Sequence, residues 1–586
     1  MSDGQSSSSL SLIIGGEAGY GIMTSGEILA RCFSRGGLHV QTDVEYPSLI
    51  RGGHNTYQVC VSDKEVHGLA RRIDVLIALD DRTVREHQSE VAPDGQVLFD
   101  LYEKPIDPKK DFPDLKGELV PVPLSDIVKE KQGDKVMRNT VAIGACMGLI
   151  DYPFSNLEDV LRSTFGKKDA VVADLNIAAS KAGYDFIIGK SKCGVRKRIE
   201  PIHGAPKRML LTGNDAISLG ALQGGLRWYS AYPMTPASSI LHFMAAHEKD
   251  MGLVVRQTED EIAAATMAIG ANHVGIRGMS ATSGGGFCLM TESIGLAAMT
   301  ETPMVYVLSQ RPGPSTGLAT RHDQGDLQFA LDNSQGDFVR VVLAPGDPAE
   351  AFYHTFNALN LAERYQIPVI VMSDRVLSEG FRTTLPFDLE GMMIDRGKLL
   401  SDEKLAQIPD YRRFENTDDG VSPRSLPGMK GGIFVANGDD HYETGETNED
   451  PDIRTMMMDK RFKKLTKLID EIPGPKMYGP ADADATLVTW GSSKGACMAA
   501  MNALNEKGRS VNLLHFIYLK PFPRRLAMEQ LKKAKLTIGV ECNRTSQFDR
   551  LLREELKLGL DKKIRKYDGR PIFTEWLVEK IEEAMG

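Results

Sequence analysis

The chain has 586 residues, 42% hydrophobic and 25% charged, with 79 acidic against 70 basic side chains for a net charge of -9. At about 150 residues per domain this length predicts three or four domains, and the composition argues against disorder; no apolar run approaches the roughly 20 residues of a membrane-spanning helix. The acidic balance carries no basic stripe, which argues against nucleic acid as a partner, and MSDGQSSSSL lacks the basic n-region of a secretory leader, so a cytoplasmic location is expected.

From Leu10, LSLIIGGEAGYGIMTSGEILARCFSRGG reads as an apolar strand, a glycine turn and an amphipathic helix; IDVLIALDD (Ile73–Asp81) and GQVLFD (Gly95–Asp100) add strand and turn signals. This alternation predicts an α/β layer fold over residues 1–200. GGEAGYG (Gly15–Gly21) stands where a dinucleotide fingerprint would, but G-x-G-x-x-G would need glycine at Thr24, so the spacing favours a close-packed strand-to-helix turn. GYDFIIGKS (Gly183–Ser191) has one residue too many between its glycines for a phosphate loop, and reads as a strand end with no helix behind it. KCGVRKR (Lys192–Arg198) reads as a solvated linker.

A second domain is predicted over 205–386, its first strand opening at Met209. Its apolar strands each end in small or polar residues, which is where open parallel sheets place ligands. QTEDEIAAATMAIGA (Gln257–Ala271) sets three acids before a helix of small residues. Thr258 and Glu261 have capping-box spacing, and Glu259 and Asp260 in a first turn suit the positive end of the helix dipole. SGGGF (Ser283–Phe287) lies between the strand RGMSAT and the helix CLMTESIGLAAM, so the backbone at Ser283 and Gly284 can approach a flat ligand. Residues 387–480, rich in Asp, Gly and Pro, read as an irregular connection wrapped over the domains. DATLVTWGSSKGACMAAMNALNEKGRSVNLLHF and KLTIGVECN predict a last βαβ domain over 481–586. The seven cysteines include no C-x-x-C pair, which excludes a locally encoded zinc or iron-sulfur motif and assigns any such cluster to another chain.

Taken in order, GNDAISLGALQGG, YPMTPASS, QTEDEIAAATMAIGA, ATSGGGFCLMTE and QRPGPSTGLATRHDQGDL closely resemble the α subunit of 2-oxoacid:ferredoxin oxidoreductases, in the form fused at its N-terminus to a γ-type domain. GGEAGYGI and EYPSLIRGGHNTYQV (Glu45–Val59) match the γ-type part. The resemblance implies an α/β multidomain protein: a γ-type domain, a transketolase-like pyrimidine-binding domain and a transketolase C-terminal-like domain. It implies cleavage of a 2-oxoacid with thiamin diphosphate and coenzyme A, releasing CO2 and passing electrons through 4Fe-4S clusters to ferredoxin. The chain has no G-D-G, so a separate β subunit is expected to hold the diphosphate, Mg2+ and the cluster, in a dimer of heterodimers. Oxidative decarboxylation and reductive carboxylation, the CO2-fixing direction of a reductive tricarboxylic acid cycle, use the same residues and both stay open.

By the same resemblance, Glu261 occupies the position of the glutamate that hydrogen-bonds N1' of the aminopyrimidine and stabilises its imino tautomer, with Glu259 as the alternative register. Ser283 and Gly284 lie along the cofactor, and Thr235 of YPMTP meets the carboxylate and carbonyl end of the substrate. Arg321 is the cation for the 2-oxoacid carboxylate, a role suited to the guanidinium fork. The chain departs from the common pattern at Gly285 and Ala319, where proline is frequent, and at His322 and Asp323, where Thr-Glu is common. His322 is a candidate positive charge for a second carboxylate, the alternative being an ordinary surface histidine. The fused γ-α architecture favours 2-oxoglutarate, giving succinyl-CoA, over pyruvate or branched-chain oxoacids. The rival readings are a nucleotide-binding dehydrogenase module on the Gly15 turn, which needs an intact fingerprint, and a transketolase relative working alone, which needs a G-D-G.

Overall fold

A computed structural model describes residues 5–6, 8–48, 53–100, 107–131, 133–167, 169–189 and 196–586. Parts of EYPSLIRGGHNTYQV, GYDFIIGKS and KCGVRKR, with Cys193, fall outside the described residues. The chain divides into two compact units, the first comprising Met1–Leu211, Gly380–Phe387 and Ile572–Leu577, the second Thr212–Glu379, Asp388–Pro571 and Val578–Gly586. Among the described residues no helix is long and apolar enough to cross a membrane.

The first unit is built on β1 (Ser9–Glu17), β2 (His39–Glu45), β3 (His54–Ser62), β4 (Ile73–Ala78), β5 (Val91–Phe99) and β6 (Glu118–Pro121). They lie in the order β6-β5-β4-β1-β3-β2, and the strands Arg382–Thr384 and Met209–Leu211 complete an eight-stranded sheet beyond β2. β4, β5 and β6 run parallel to β1, whereas β3 is antiparallel to both β1 and β2. Met209–Leu211, expected to open the second domain, thus belongs to the first unit's sheet, because Arg382–Thr384 returns to pair with it. The glycine turn after β1 places Gly19 at φ 97° and Gly21 at φ 72°, the left-handed region only glycine enters without strain, and launches α1 (Ile22–Arg35).

GYDFIIG is the end of a helix, not of a strand. It closes α4 (Ala170–Gly189), which packs on α3 (Arg138–Leu149); α2 (Asp81–His87) precedes both. Gly144 and Gly183 make this contact, since a Cβ on Gly144 would fall 1.8 Å from Ser180 O and one on Gly183 2.2 Å from Val141 O. The strand-like run Tyr184, Phe186, Ile187 and Ile188 is overridden by that helix-on-helix packing, in which Ile187 is buried and Ile188 stays exposed.

The second unit's main sheet contains β7 (Trp228–Ala231), β8 (Val254–Gln257), β9 (Gly278–Thr282), β10 (Met304–Gln310), β11 (Val341–Leu343) and β12 (Pro368–Asp374), in the order β8-β7-β9-β10-β12-β11. All six are parallel, and β9, β10, β11 and β12 are buried along their whole length, as expected where helices cover both faces. α5 (Gly213–Gln223) carries a complete capping box between Thr212 and Asp215. A second, five-stranded sheet spans Lys476–Arg565, and its Val488, Trp490, Leu514 and Phe516 share one apolar core with Tyr306, Leu308, Ile370 and Met372 of β10 and β12.

Residues 387–480 are not irregular throughout. Pro451–Glu471 forms a 21-residue helix whose Asp450 caps the backbone N–H of Asp452 and Ile453. The apolar periodicity is weak because its buried face includes Lys460, Arg461 and Lys464. The ammonium groups of Lys460 and Lys464 both bind the fully buried carboxylate of Glu301.

Candidate active site

In the second unit the chain enters the sheet at β7, steps to β8 on one side, then returns to β9 on the other side of β7. Such a reversal opens a crevice at the carboxyl ends of the two central strands. Several residues of the site follow the carboxyl ends of neighbouring strands. Thr235 lies just past β7, Glu261 just past β8, Ser283 directly after β9 and Arg311 directly after β10.

α6 (Glu261–His273) begins two residues later than the Thr258 spacing predicts. Asp260, in extended conformation, is the cap: its carboxylate accepts from Ala263 N at 2.8 Å, and the Thr258 hydroxyl donates instead to Asp260 O at 2.7 Å. The capping box of Thr258 and Glu261 is therefore not formed, because the aspartate two residues on caps the helix instead, through the N–H of Ala263. Glu261 is left as the first helical residue with its carboxyl free to turn inward, and it is 2% exposed, while Glu259 is exposed. The Thr282 hydroxyl donates to Glu261 Oε1 at 3.3 Å. Burial holds the Glu261 carboxyl above the usual glutamate range, against a smaller opposing pull from Arg311.

Glycine makes room beside this carboxyl. α7 (Gly284–Leu289) opens with GGGF, and a Cβ on Gly286 would stand 2.1 Å from Thr282 Oγ1 and 2.2 Å from Glu261 Oε1. On Gly284 a Cβ would meet Asp326 Oδ2 at 2.7 Å. The Ser283 hydroxyl is fully buried and has no hydrogen-bond partner; Asp326 Oδ2 is buried and equally unpartnered. Each such group costs about 1–3 kcal/mol, so two at the mouth of one crevice mark a place shaped for something polar. Burial, reinforced by Asp323, pushes the Asp326 carboxyl up to about 7.

Arg311 links these parts. Its Nη1 donates to Thr235 O at 2.8 Å, and its pKa is drawn down by burial and raised by Asp326 and Glu261. One guanidinium thus acts electrostatically on both carboxyls. Arg311, Asp326, Thr282 and Gly286 are missing from the sequence reading. The available signal was position alone, Arg311 being the first residue after an apolar strand whose neighbours carry the recognised motifs.

Arg321 and His322 lie on the loop between β10 and the short helix Leu327–Asp332, on the same carboxyl edge. His322 N donates to Gly569 O at 3.2 Å, and Arg321 Cβ lies 3.3 Å from where a Gly569 Cβ would stand. His322 is 3% exposed, with Nδ1 3.6 Å from Asp374 Oδ1 at the end of β12. Burial pulls its pKa below the usual histidine range, so the ring favours its neutral form. It is therefore not a surface histidine, and burial disfavours, without deciding, the positive charge drawn from sequence.

Comparison with known proteins bears on this geometry. Residues 219–460 match the family described as "Pyruvate flavodoxin/ferredoxin oxidoreductase, thiamine diP-bdg", residues 11–186 "Pyruvate ferredoxin/flavodoxin oxidoreductase", and residues 483–572 "Pyruvate:ferredoxin oxidoreductase core domain II". The 2-oxoacid:ferredoxin oxidoreductase subunit alpha of Sulfolobus sp is 33% identical, over 98% of this chain and 96% of the relative. The 2-oxoglutarate oxidoreductase subunit KorA of Mycobacterium tuberculosis is 28% identical, over 90% of this chain and 84% of the relative. A solved structure of 2-oxoglutarate:ferredoxin oxidoreductase from Magnetococcus marinus, with 2-oxoglutarate, coenzyme A and succinyl-CoA bound, superposes with a TM-score of 0.92 at 32% identity, over 99% of this chain and 100% of that one.

Proposed function

The chain belongs to the 2-oxoacid:ferredoxin oxidoreductase family as an α subunit of the enzyme, and from that premise we propose that it completes the site that cleaves 2-oxoglutarate to succinyl-CoA and CO2, with electrons passing to ferredoxin. The observation that carries the reading is the buried Glu261 carboxyl at the sheet's switch point, oriented by Thr282 and kept clear of side chains by Gly286.

These residues fit the aminopyrimidine of thiamin diphosphate. The buried Glu261 carboxyl, the unpartnered Ser283 hydroxyl and the open space over Gly285, whose nearest neighbour would be Ser315 O at 4.0 Å, suit a flat, polar ring. When bound, that cofactor supplies the electron sink for breaking the bond between a 2-oxoacid's carboxylate and its carbonyl carbon. Glu261 holds the proton shared with the ring nitrogen, a task helped by burial that favours its protonated form. Thr282 fixes the carboxyl's direction, and Ser283 with the Gly284 backbone lines the ring. Arg311 and Arg321 supply cations for substrate carboxylates, and the Thr235 hydroxyl a donor to the substrate's carbonyl end. His322, favouring the neutral form, contributes a hydrogen bond to the far end of 2-oxoglutarate in place of charge.

Diphosphate, Mg2+ and a 4Fe-4S cluster are assigned to a separate β subunit, in a cytoplasmic dimer of heterodimers with coenzyme A as co-substrate. Three things support this assignment: the missing G-D-G, the scattered cysteines and the subunit names of the relatives. Preference for 2-oxoglutarate rests on the full-length likeness to the Magnetococcus marinus enzyme and on the KorA relative. The test is co-purification with the partner, iron and thiamin analysis, then turnover of 2-oxoglutarate, pyruvate and a branched-chain oxoacid with coenzyme A and a low-potential acceptor. The expected kcat/KM for 2-oxoglutarate exceeds that for pyruvate by about tenfold or more, or roughly 1.4 kcal/mol; equal values would remove 2-oxoglutarate as the preferred substrate.

A further inference from the structure

The first unit carries a cluster of metal-ligating side chains that takes no part in the proposed chemistry. His54 opens β3, and α2 ends on Glu86 and His87. One ligand atom from each lies within 4.8 Å of the other two. His54 Nε2 stands 3.7 Å from Glu86 Oε2, close to the roughly 3.4 Å edge of a tetrahedron with metal–ligand bonds of about 2.1 Å. The two imidazole rings are 5.7 Å apart between centroids.

Hydrogen bonding leaves the inward-facing atoms of this cluster bare. Both ring nitrogens of His54 and Nε2 of His87 are buried without a partner, and the His54 side chain is only 6% exposed. A plain His–Glu ion pair would satisfy one of these nitrogens, but 3.7 Å is too long for a hydrogen bond. The outer atoms are fixed. His87 Nδ1 lies 2.7 Å from Glu90 Oε2, so its N–H donates to that carboxylate and the Nε2 lone pair is presented to the cluster. This carboxylate–histidine support is the arrangement that orients metal-binding imidazoles. Glu86 is likewise divided: Oε1 accepts from Arg82 Nε at 2.6 Å, while Oε2 faces His54. The helix bearing two of the three residues is itself anchored, since Asp80 Oδ1 accepts from both the N–H and the hydroxyl of Thr83.

We propose that His54, Glu86 and His87 bind one divalent transition-metal ion of the zinc class, tying β3 to the end of α2. Two imidazoles and a carboxylate select zinc, cobalt, nickel or copper over magnesium or calcium, which prefer all-oxygen shells. The fourth position falls on the solvent side, Glu86 being 43% exposed, and is open to water or an incoming ligand.

The full-length chain, stripped with a chelator and dialysed, is titrated with Co2+ as a spectroscopic probe and with Zn2+ by calorimetry, with bound metal counted by mass spectrometry. The expected result is one equivalent bound, a tetrahedral Co2+ spectrum, and a melting temperature raised by Zn2+. His54→Ala and His87→Ala abolish all three effects. Glu90→Gln, which removes the support without touching the metal, weakens binding by about 10- to 100-fold. Each variant's melting temperature without metal shows that it folds; should an alanine variant fail, His87→Gln takes its place. Less than a stoichiometric equivalent in the wild type, or equal affinity in wild type and histidine variants, overturns the proposal.

Discussion

Burial of Glu261 outweighs the hydrogen bonds its carboxyl gains from its own backbone N–H and from Thr282, so its proton is held to higher pH than on an exposed glutamate. For an acid whose pKa is raised by folding, stabilisation is complete below the unfolded value and is lost as pH rises through the folded one. Glu261→Gln removes that loss, and at neutral pH the variant is expected to melt above wild type while 2-oxoacid cleavage falls, the usual trade between site function and stability. Asp326 gives a sharper window. With its carboxyl raised from 3.8 to about 7, Asp326→Asn should gain stability over wild type as pH rises from about 4 to about 7 and gain no more above that. The gain is on the order of 2 kcal/mol, under a linkage ceiling of about 4 kcal/mol. A series of melts across that range checks both the sign and the plateau. Glu261 is legible in the sequence because its motif is local, whereas Arg311 and Asp326 become neighbours of the site only through strand order, which no short motif encodes.

At the scale of elements, the site depends on where helices begin. Asp260→Ala removes the cap of α6 and should cost about 1 kcal/mol in a melt, with a loss of activity because the same turn aims Glu261. Two neighbouring glycines separate packing from backbone freedom. A Cβ on Gly286 collides with Thr282 and Glu261, while one on Gly285 meets only Ser315 O at 4.0 Å. Gly286→Ala is expected to displace the Glu261 carboxyl, lowering activity by about two orders of magnitude and stability by about 1–3 kcal/mol. Gly285→Ala should stay within about 0.5 kcal/mol of wild type. Equal behaviour of the two variants in steady-state assays and melts would show that the cradle has no role. The strand-helix-strand order around β7 to β10 could be read from glycine turns and apolar runs. α4 could not, since its strand-forming residues yield to a glycine-mediated contact with a distant helix.

For the molecule as a whole, residues 388–480 belong to the second unit, and part of the segment is buried in it. The long helix Pro451–Glu471 binds the buried Glu301 through Lys460 and Lys464, and Arg413 Nη2 donates to Glu301 O at 2.9 Å. Removing one member of a buried ion cluster leaves the others uncompensated, so Glu301→Gln should cost about 3–5 kcal/mol and lower the melting temperature without changing KM. In sequence this helix is hidden within a stretch that reads as an irregular connection, because the acid that lets its lysines be buried is supplied from elsewhere in the fold. The α/β class and the family's motifs were legible; the division into two units was not, because short strands such as Met209–Leu211 and Arg382–Thr384 find their sheet only in three dimensions.

The most direct measurement compares wild type and Glu261→Gln, each co-purified with the partner subunit, for 2-oxoglutarate-dependent reduction of a low-potential acceptor in the presence of coenzyme A. The prediction is equal thiamin and iron content and an intact fold in both, with turnover only in the wild type. A Glu261→Gln enzyme that turns over at the wild-type rate would contradict the assignment of this carboxyl to the cofactor ring.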